Sequence, residues 1–446
     1  MKGKYRFCFC SSPSKLDPNP VYLKMVRLPA KFKMKKTHQK KLLCRRVESE
    51  VCFGDHNEKD TNPSEIDSLP LDLKMAILTR LPAKSLTNLK HVSKMWSSII
   101  RSRGFIDSFF SVSSTRSRFI VALSNGLFNK PEEKLIFLFS FSHEGDKSSS
   151  LLADFVIAIP SVSFSSSSGS CESVHGFLSV TAEFRQMICN PSTEEVIKLP
   201  VNTRFVGYDP IDDQHKALLV QSINHSDHLE HKVLTLGEGG QGWRHIEGTT
   251  APYSPISVGV CIDGFVYYGA YSPNRPMNPV MVCFEVRSEK ISFIKAPEDV
   301  VHWGNEAIFI EYKGKLASIV RFPFGRFQSF DLWILEDVEK HEWSKQTCVF
   351  PSSVWDDVGD IKISFPGTNK AGEIIMAPKL LSLDVRPFYI FYYNVETTNI
   401  RRVRLLGIGD DEEFRRSYGF EDQGECHVRI APQHVESIAH FKDLII

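Results

Sequence analysis

No stretch of this 446-residue chain approaches the roughly 18 consecutive apolar residues that a helix needs to cross a bilayer. The opening residues, MKGKYRFCFCSSP, carry charge but no apolar h-region of the kind that directs secretion. Ten cysteines are scattered without one C-x-x-C pair, and Cys8 and Cys10 are too close for an easy bridge. Neither a disulfide framework nor a zinc cluster is spelled out. Reduced, mostly buried thiols in the cytosol or nucleus are expected, and the sequon Asn224-His225-Ser226 then has no use. Also missing are G-x-S-x-G, a Walker A loop and H-E-x-x-H.

Three fragments imitate chemistry without its context. GEGGQG (237–242) meets G-x-G-x-x-G through Gly237, Gly239 and Gly242, yet Trp243-Arg244-His245 follow in a strand pattern. A dinucleotide site must open a helix there, so a turn is expected instead. His225, His228 and His231 recur three apart in a polar turn, which lacks the closed ligand set zinc requires. Asp410, Asp411, Glu412 and Glu413 form an acidic run that reads as a solvated loop edge rather than a held acid–base pair. No catalytic, metal or cofactor set is expected, and none of the cysteines has an activating neighbourhood.

What is there divides the chain unevenly. Residues 1–50 hold fourteen Lys/Arg against Asp17, Glu48 and Glu50, a charge of +11, so the remainder carries −10 of the net +1. A basic, disordered extension over 1–65 is expected. KFKMKKTHQKK with Arg45-Arg46 has the composition of a nuclear signal, and the acid-poor arm also that of an organellar transit peptide. The expected location is nucleus, cytoplasm or both. Nucleic-acid association through the arm is an alternative, though its aromatics (Tyr5, Phe7, Phe9, Tyr22, Phe32) are thin.

Residues 66–110 read as three short helices. Leu69, Leu73, Ile77 and Leu81 fall four apart, with Leu71, Met75 and Leu78 on a neighbouring row. One stripe suffices for an ordinary surface helix; this one is apolar on more than one side. Pro82 should stop it. Leu86, Leu89 and Val92 follow on a second helix, and Ser93 caps a third that carries Trp96, Ile99 and Ile100. So short a unit cannot bury this much apolar surface within itself. The surplus face predicts an interface.

LPLDLKMAILTRLPAKSLTNLKHVSKMWSSII resembles an F-box. The pattern is carried by Leu69-Pro70, Asp72-Leu73, Ile77-Leu78, Arg80-Leu81-Pro82, Lys84-Ser85-Leu86, Val92-Ser93-Lys94, Trp96 and Ser98-Ile99-Ile100. Ala76 stands where the family usually has Glu, and Asn88 where a basic residue is common; no apolar anchor is lost. The resemblance implies docking on a Skp-type adaptor and, through it, a cullin scaffold. The adaptor contacts it implies are Leu69, Pro70, Leu73, Ile77, Leu78, Leu81, Pro82, Leu86, Val92 and Trp96.

From about residue 115 to 446 the pattern turns to short strands. A Gly followed by a strand recurs at Gly176, Gly264, Gly314 and Gly372, each with a strand–turn–strand behind it. Counted from Ile188, Val233, Val282, Leu332 and Tyr392, the steps are 45, 49, 50 and 60 residues. Blades of a β-propeller run roughly 40–50. The fold expected is therefore α+β and multidomain: a small three-helix unit, then an all-β domain, a propeller of six or seven blades closed by both termini. A pair of β-sandwiches is the competing arrangement. ICNPSTEEVIKLP, FVGYDPIDDQHKALLV, GVCIDGFVYYGA and VCFEVRSEKISFIKAP resemble the plant F-box-associated domain of type 3.

Together these resemblances imply a non-catalytic substrate-recognition subunit of an SCF-type ubiquitin ligase, with the β domain binding an unknown target protein. A propeller hydrolase is the alternative. Target contacts are expected on loops of one propeller face: Arg321, Phe324, Arg326 and Phe327 in RFPFGRFQSF, and Tyr271 and Arg275 in YSPNRPMNP, residue types enriched at interfaces.

Overall fold

The computed structural model describes residues 69–441, except 126–133, 143–149, 161, 163, 165–168, 183–184, 201–202, 223–228, 237–241, 247–251, 273–277, 302–307, 322–327, 351–361 and 421–424. Four helices open it: α1 (Leu71–Leu78), α2 (Ala83–Leu89), α3 (Lys94–Arg101) and α4 (Arg103–Ser114). Pro82 does not end α1, which already closes at Thr79; it is the residue from which α2 starts. Proline suits that position because the first helical N–H groups have no partner to lose. Ser93 Oγ accepts the Trp96 N–H at 3.2 Å, and Ser102 Oγ accepts that of Phe105 at 3.3 Å, which start α3 and α4. The fourth helix exceeds the three expected. Its Ser- and Gly-rich sequence weakens the propensity signal, but Phe105, Phe109 and Val112 share one face, with Phe105 and Phe109 buried.

The remainder is six antiparallel sheets arranged as blades. β1 (Arg118–Ser124), β2 (Leu135–Ser142) and β4 (Asp154–Pro160) form the first; β3 (Ser150–Leu152) leaves it for the last blade. β5 (Ser170–Val174), β6 (Phe177–Ala182), β7 (Arg185–Asn190) and β8 (Glu195–Lys198) form the second. The third holds β9 (Thr203–Asp209), β10 (Gln214–Ser222), β11 (Leu229–Leu236) and β12 (Arg244–His245). In the fourth, β13 (Ser254–Pro255) and β14 (Val260–Ile262) both pair with β15 (Phe265–Ser272), followed by β16 (Asn278–Glu285) and β17 (Lys290–Ile294). The fifth is β18 (Ile308–Tyr312), β19 (Lys315–Arg321), β20 (Ser329–Asp337) and β21 (Glu342–Val349). The sixth is β22 (Ile363–Thr368), β23 (Ile374–Pro378), β24 (Phe388–Asn394) and β25 (Asn399–Leu406), with β3 parallel on its outer edge. After α5 (Glu412–Tyr418), β26 (Val428–His434) pairs with β1 and completes the first blade. The first and last strands of the propeller thus close one ring of six among the described residues.

The repeat has a conformational cause. His175-Gly176, Asp263-Gly264 and Lys313-Gly314 each place two successive residues at positive φ. Each pair forms the two-residue turn between a blade's first and second strands, the geometry that matches strand twist and favours glycine second. Ile188, Val233, Val282, Leu332 and Tyr392 all lie on third strands, so the counted steps are blade to blade. Residues 379–387 separate β23 from β24 and lengthen the last step.

The acidic run at 410–413 is not a loop edge. Asp411 accepts the Phe414 N–H at 2.5 Å, and Glu412 and Glu413 occupy the first turn of α5, where negative charge offsets the helix dipole. Phe414, with Phe420 beyond the helix, then packs among Phe137, Phe139 and Ile390 between the first and last blades.

Candidate functional site

The helical unit buries one side of itself. Leu78, Ala83, Leu86, Ile100, Phe105 and Phe109 form its core together with Ile438, which arrives from the far end of the chain. Leu81 and Trp96 pack partly buried against it. Of the ten residues expected to meet an adaptor, Leu78 (3% exposed) and Leu86 (0%) therefore point into this chain's own core. Helix α4 is the reason: its phenylalanines cover the side of α1 and α2 that three helices alone would leave bare. Leu69 is partly exposed and Pro70 and Pro82 are exposed. Leu73 and Ile77 are each 52% exposed and Val92 67%. Leu71, read in the sequence only as part of a second apolar row, joins them at 55%. Leu73 and Ile77 fall four apart on α1, so an apolar strip remains outward after folding.

This unit is fixed to the propeller along one face, at the turns after first and third strands. Phe110 lies 4.1 Å from the His175 ring, and Thr87 Oγ1 donates to the Ser192 carbonyl at 3.4 Å. Lys90 Nζ approaches His440 Nε2 at 2.9 Å, whose Nδ1 meets Glu195 Oε1 at 3.0 Å. The Phe441 N–H donates to Glu195 Oε2 at 2.9 Å. Burial raises the pKa of Glu195, but the hydrogen bonds from His440 and Phe441 outweigh it and hold the carboxyl below its usual value. Buried Asn190 donates to the carbonyls of Ser437 (3.0 Å) and Ala439 (2.7 Å). Arg116, in the connection to β1, donates to the carbonyls of Thr79, Arg80 and Leu81 and so satisfies the open end of α1. Apart from Arg80 and Leu81, none of these junction residues was singled out from the sequence. The available signal was Ile438 and Phe441, apolar positions with no strand left to serve.

Because neighbouring strands are antiparallel, the second strands end at the opposite face. Tyr271 and Arg321 sit there, near the ends of β15 and β19. Tyr271 is 8% exposed, so it is a core residue rather than a contact surface. Arg321 donates to the Ile363 carbonyl at 3.3 Å, beside the start of β22. Arg275, Phe324, Arg326 and Phe327 lie outside the described residues, as do His225, His228, Gly237 and Gly239. His231 is buried against the Tyr253 hydroxyl at 2.8 Å.

Down the middle runs a cavity of about 1000 Å³, walled by the first strands. Phe110 and Ser114 of α4 line it at the helical end. Glu172 and Glu311 line it too. Burial pushes the Glu172 carboxyl up to about 8, and burial with Asp263 raises Glu311. The described thiols, none of them paired, are all raised by burial, Cys171 to about 12 and Cys261 to about 11. Each is thus protonated at neutral pH.

Comparison with known proteins gives two matches that share out these parts. Residues 66–108 match the F-box domain, and residues 125–435 match the F-box associated beta propeller domain. One F-box protein of Arabidopsis thaliana is 59% identical over 444 residues, covering 98% of this chain and 96% of the relative. A second is 56% identical over 393 residues (84% and 98%). The Arabidopsis F-box protein DOR is 35% identical over 366 residues (77% and 89%). The chain belongs to the plant F-box proteins that carry an F-box associated β-propeller domain.

Proposed function

We propose that this protein is the substrate-recognition subunit of an SCF-type cullin ubiquitin ligase. The carrying observation is that Leu73 and Ile77, four apart on α1, stay half exposed, as do Leu71 and Val92, although the helices beneath them are well packed. Single exposed apolar residues need no explanation, but four on so small a unit, two of them in one row of α1, do. A Skp-type adaptor, linked to a cullin scaffold, covers that row. The propeller presents a target protein from its opposite face. In this reading bond-making belongs to other subunits, and the chain raises the rate by holding target lysines near a charged conjugating enzyme. The basic residues of the arm support action in nucleus and cytoplasm, which imaging of a fluorescent fusion tests.

Co-purification with a Skp-type adaptor is the direct experiment. A stoichiometric complex that recruits a cullin is the expected result. A folded chain that leaves the adaptor unbound overturns the reading.

A further inference from the structure

The central channel has a polarity. Each first strand runs toward the helical unit: β5 ends at Val174 beside the His175 turn that Phe110 covers, and β26 ends at His434, before the segment that carries Ile438. Arg204 is the second residue of β9 and Arg429 the second of β26, each five residues from its strand's end, or about 17 Å. Both lie at the end away from the F-box. Lys379 lies there as well: its N–H donates to the Lys362 carbonyl at 2.8 Å, just before β22 begins. Three blades thus bring a cation each to one rim, on a body whose residues beyond 50 carry a net −10. The channel's carboxyls lie deeper, Glu311 one residue from the helical end of β18 and Glu172 two from that of β5.

The cations differ in use. Arg429 donates to the Gly169 carbonyl at 2.7 Å and lies over the Phe164 ring at 5.5 Å, so its guanidinium is held in place. Arg204 lines the channel with its side chain exposed to it, and no carboxylate among the described residues pairs with it. Neighbouring protein atoms lower its pKa. On the channel wall of the next blade stand Ile256 and Val258, 39% and 43% exposed. A guanidinium fork and apolar wall in one channel suit a carboxylate carried on an apolar chain. The helix at the far end makes the channel deep, and an extended segment enters it more readily than a folded surface.

We propose that the end of the channel away from the F-box binds an extended acidic segment of a protein, with a carboxylate seated on Arg204. This rests on the target-receptor reading and specifies its ligand. The probe is a capped, labelled peptide of alternating Glu and Leu, with a Gln-for-Glu twin and free hexanoate as comparison, titrated by anisotropy onto the full chain bound to its adaptor. The Glu peptide should bind at least tenfold more tightly than the twin and weaken with salt. Arg204→Ala should cost tenfold or more, with Arg204→Lys intermediate and melting unchanged in both. Equal binding of the two peptides, or unchanged affinity in Arg204→Ala, overturns the proposal. So does calorimetric binding of hexanoate by a chain that leaves both peptides unbound, which makes the site one for small acids. Adaptor binding is scored separately: peptide binding by a chain that ignores the adaptor leaves this site standing and removes the ligase reading.

Discussion

Replacing Leu73, Ile77 and Val92 together by Ala separates an interface from a core. Burying a Leu, Ile or Val side chain completely is worth about 1.5–3 kcal/mol. Leu73 and Ile77 are 52% exposed and Val92 67%, so more than half of each side chain is still in contact with water. Each therefore has about 1 kcal/mol left to gain on docking, and the three about 3 kcal/mol. That is on the order of 100-fold in Kd. The free chain loses little, because the truncated atoms contact mainly solvent. Leu86→Ala is the opposite case. Leu86 is fully buried among Ala83, Phe105 and Ile438, and its truncation should cost about 2–5 kcal/mol of stability through lost transfer energy and a cavity. Calorimetric titration with a Skp-type adaptor, beside thermal melting, reads both quantities. The expected pattern is weakened binding with unchanged melting for the triple variant, and lowered melting for Leu86→Ala. Adaptor affinity within about threefold of wild type in the triple variant, a difference of about 0.7 kcal/mol, would refute the assignment of this face.

Three further outcomes follow from the junction and the channel. Gly176→Ala places a Cβ 2.7 Å from Ser437 Cβ and 2.9 Å from Phe110 Cε2, at φ +84°; it should lower melting and speed proteolysis between the helices and β1, whereas Gly314→Ala, at φ +78° with open space, should cost only about 1 kcal/mol. The depressed carboxyl of Glu195 stabilises the fold above its unfolded pKa of about 4.3, and that contribution disappears as pH falls through the lower folded value. Glu195→Gln should therefore melt lower than wild type at neutral pH, and the gap should close in acid. Glu172 has the opposite sign: its folded pKa of about 8 favours the protonated form, so the wild type should lose stability as pH rises from about 4.3 toward 8, and Glu172→Gln should flatten that slope in pH-dependent melts.

The propeller was readable because its turns are chemically demanding. A two-residue turn with both φ values positive favours Gly, and His175-Gly176, Asp263-Gly264 and Lys313-Gly314 write that demand into the sequence at blade intervals. The blade count was less readable. It depends on β26 pairing with β1, a contact between residues some 300 apart that no local pattern announces. The helical unit was readable as apolar spacing and its F-box character as a motif resemblance, but spacing could not divide its leucines. Leu73 and Leu78 are the same residue on the same helix, one 52% exposed and one 3%. What separates them is α4 beneath and Ile438 from the chain's end, neither visible from a window around α1.

That distant contribution bears on how the receptor would work. Residues 428–441 do two things in succession: β26 closes the ring, and the segment after it runs under the helices, inserting Ile438 into their core and tying His440 and Phe441 to Glu195. The F-box is therefore not a bead on a linker. Its core is incomplete without the segment that follows the propeller's closing strand, so the exposed apolar row of α1 and the opposite rim with Arg204 are joined through packed side chains. Proximity accelerates a reaction only when the geometry is held, and a flexible joint would spread a bound target over many orientations. Weakening the junction should accordingly reduce target modification more than it reduces either adaptor or target binding, because each binding surface survives while their relation does not.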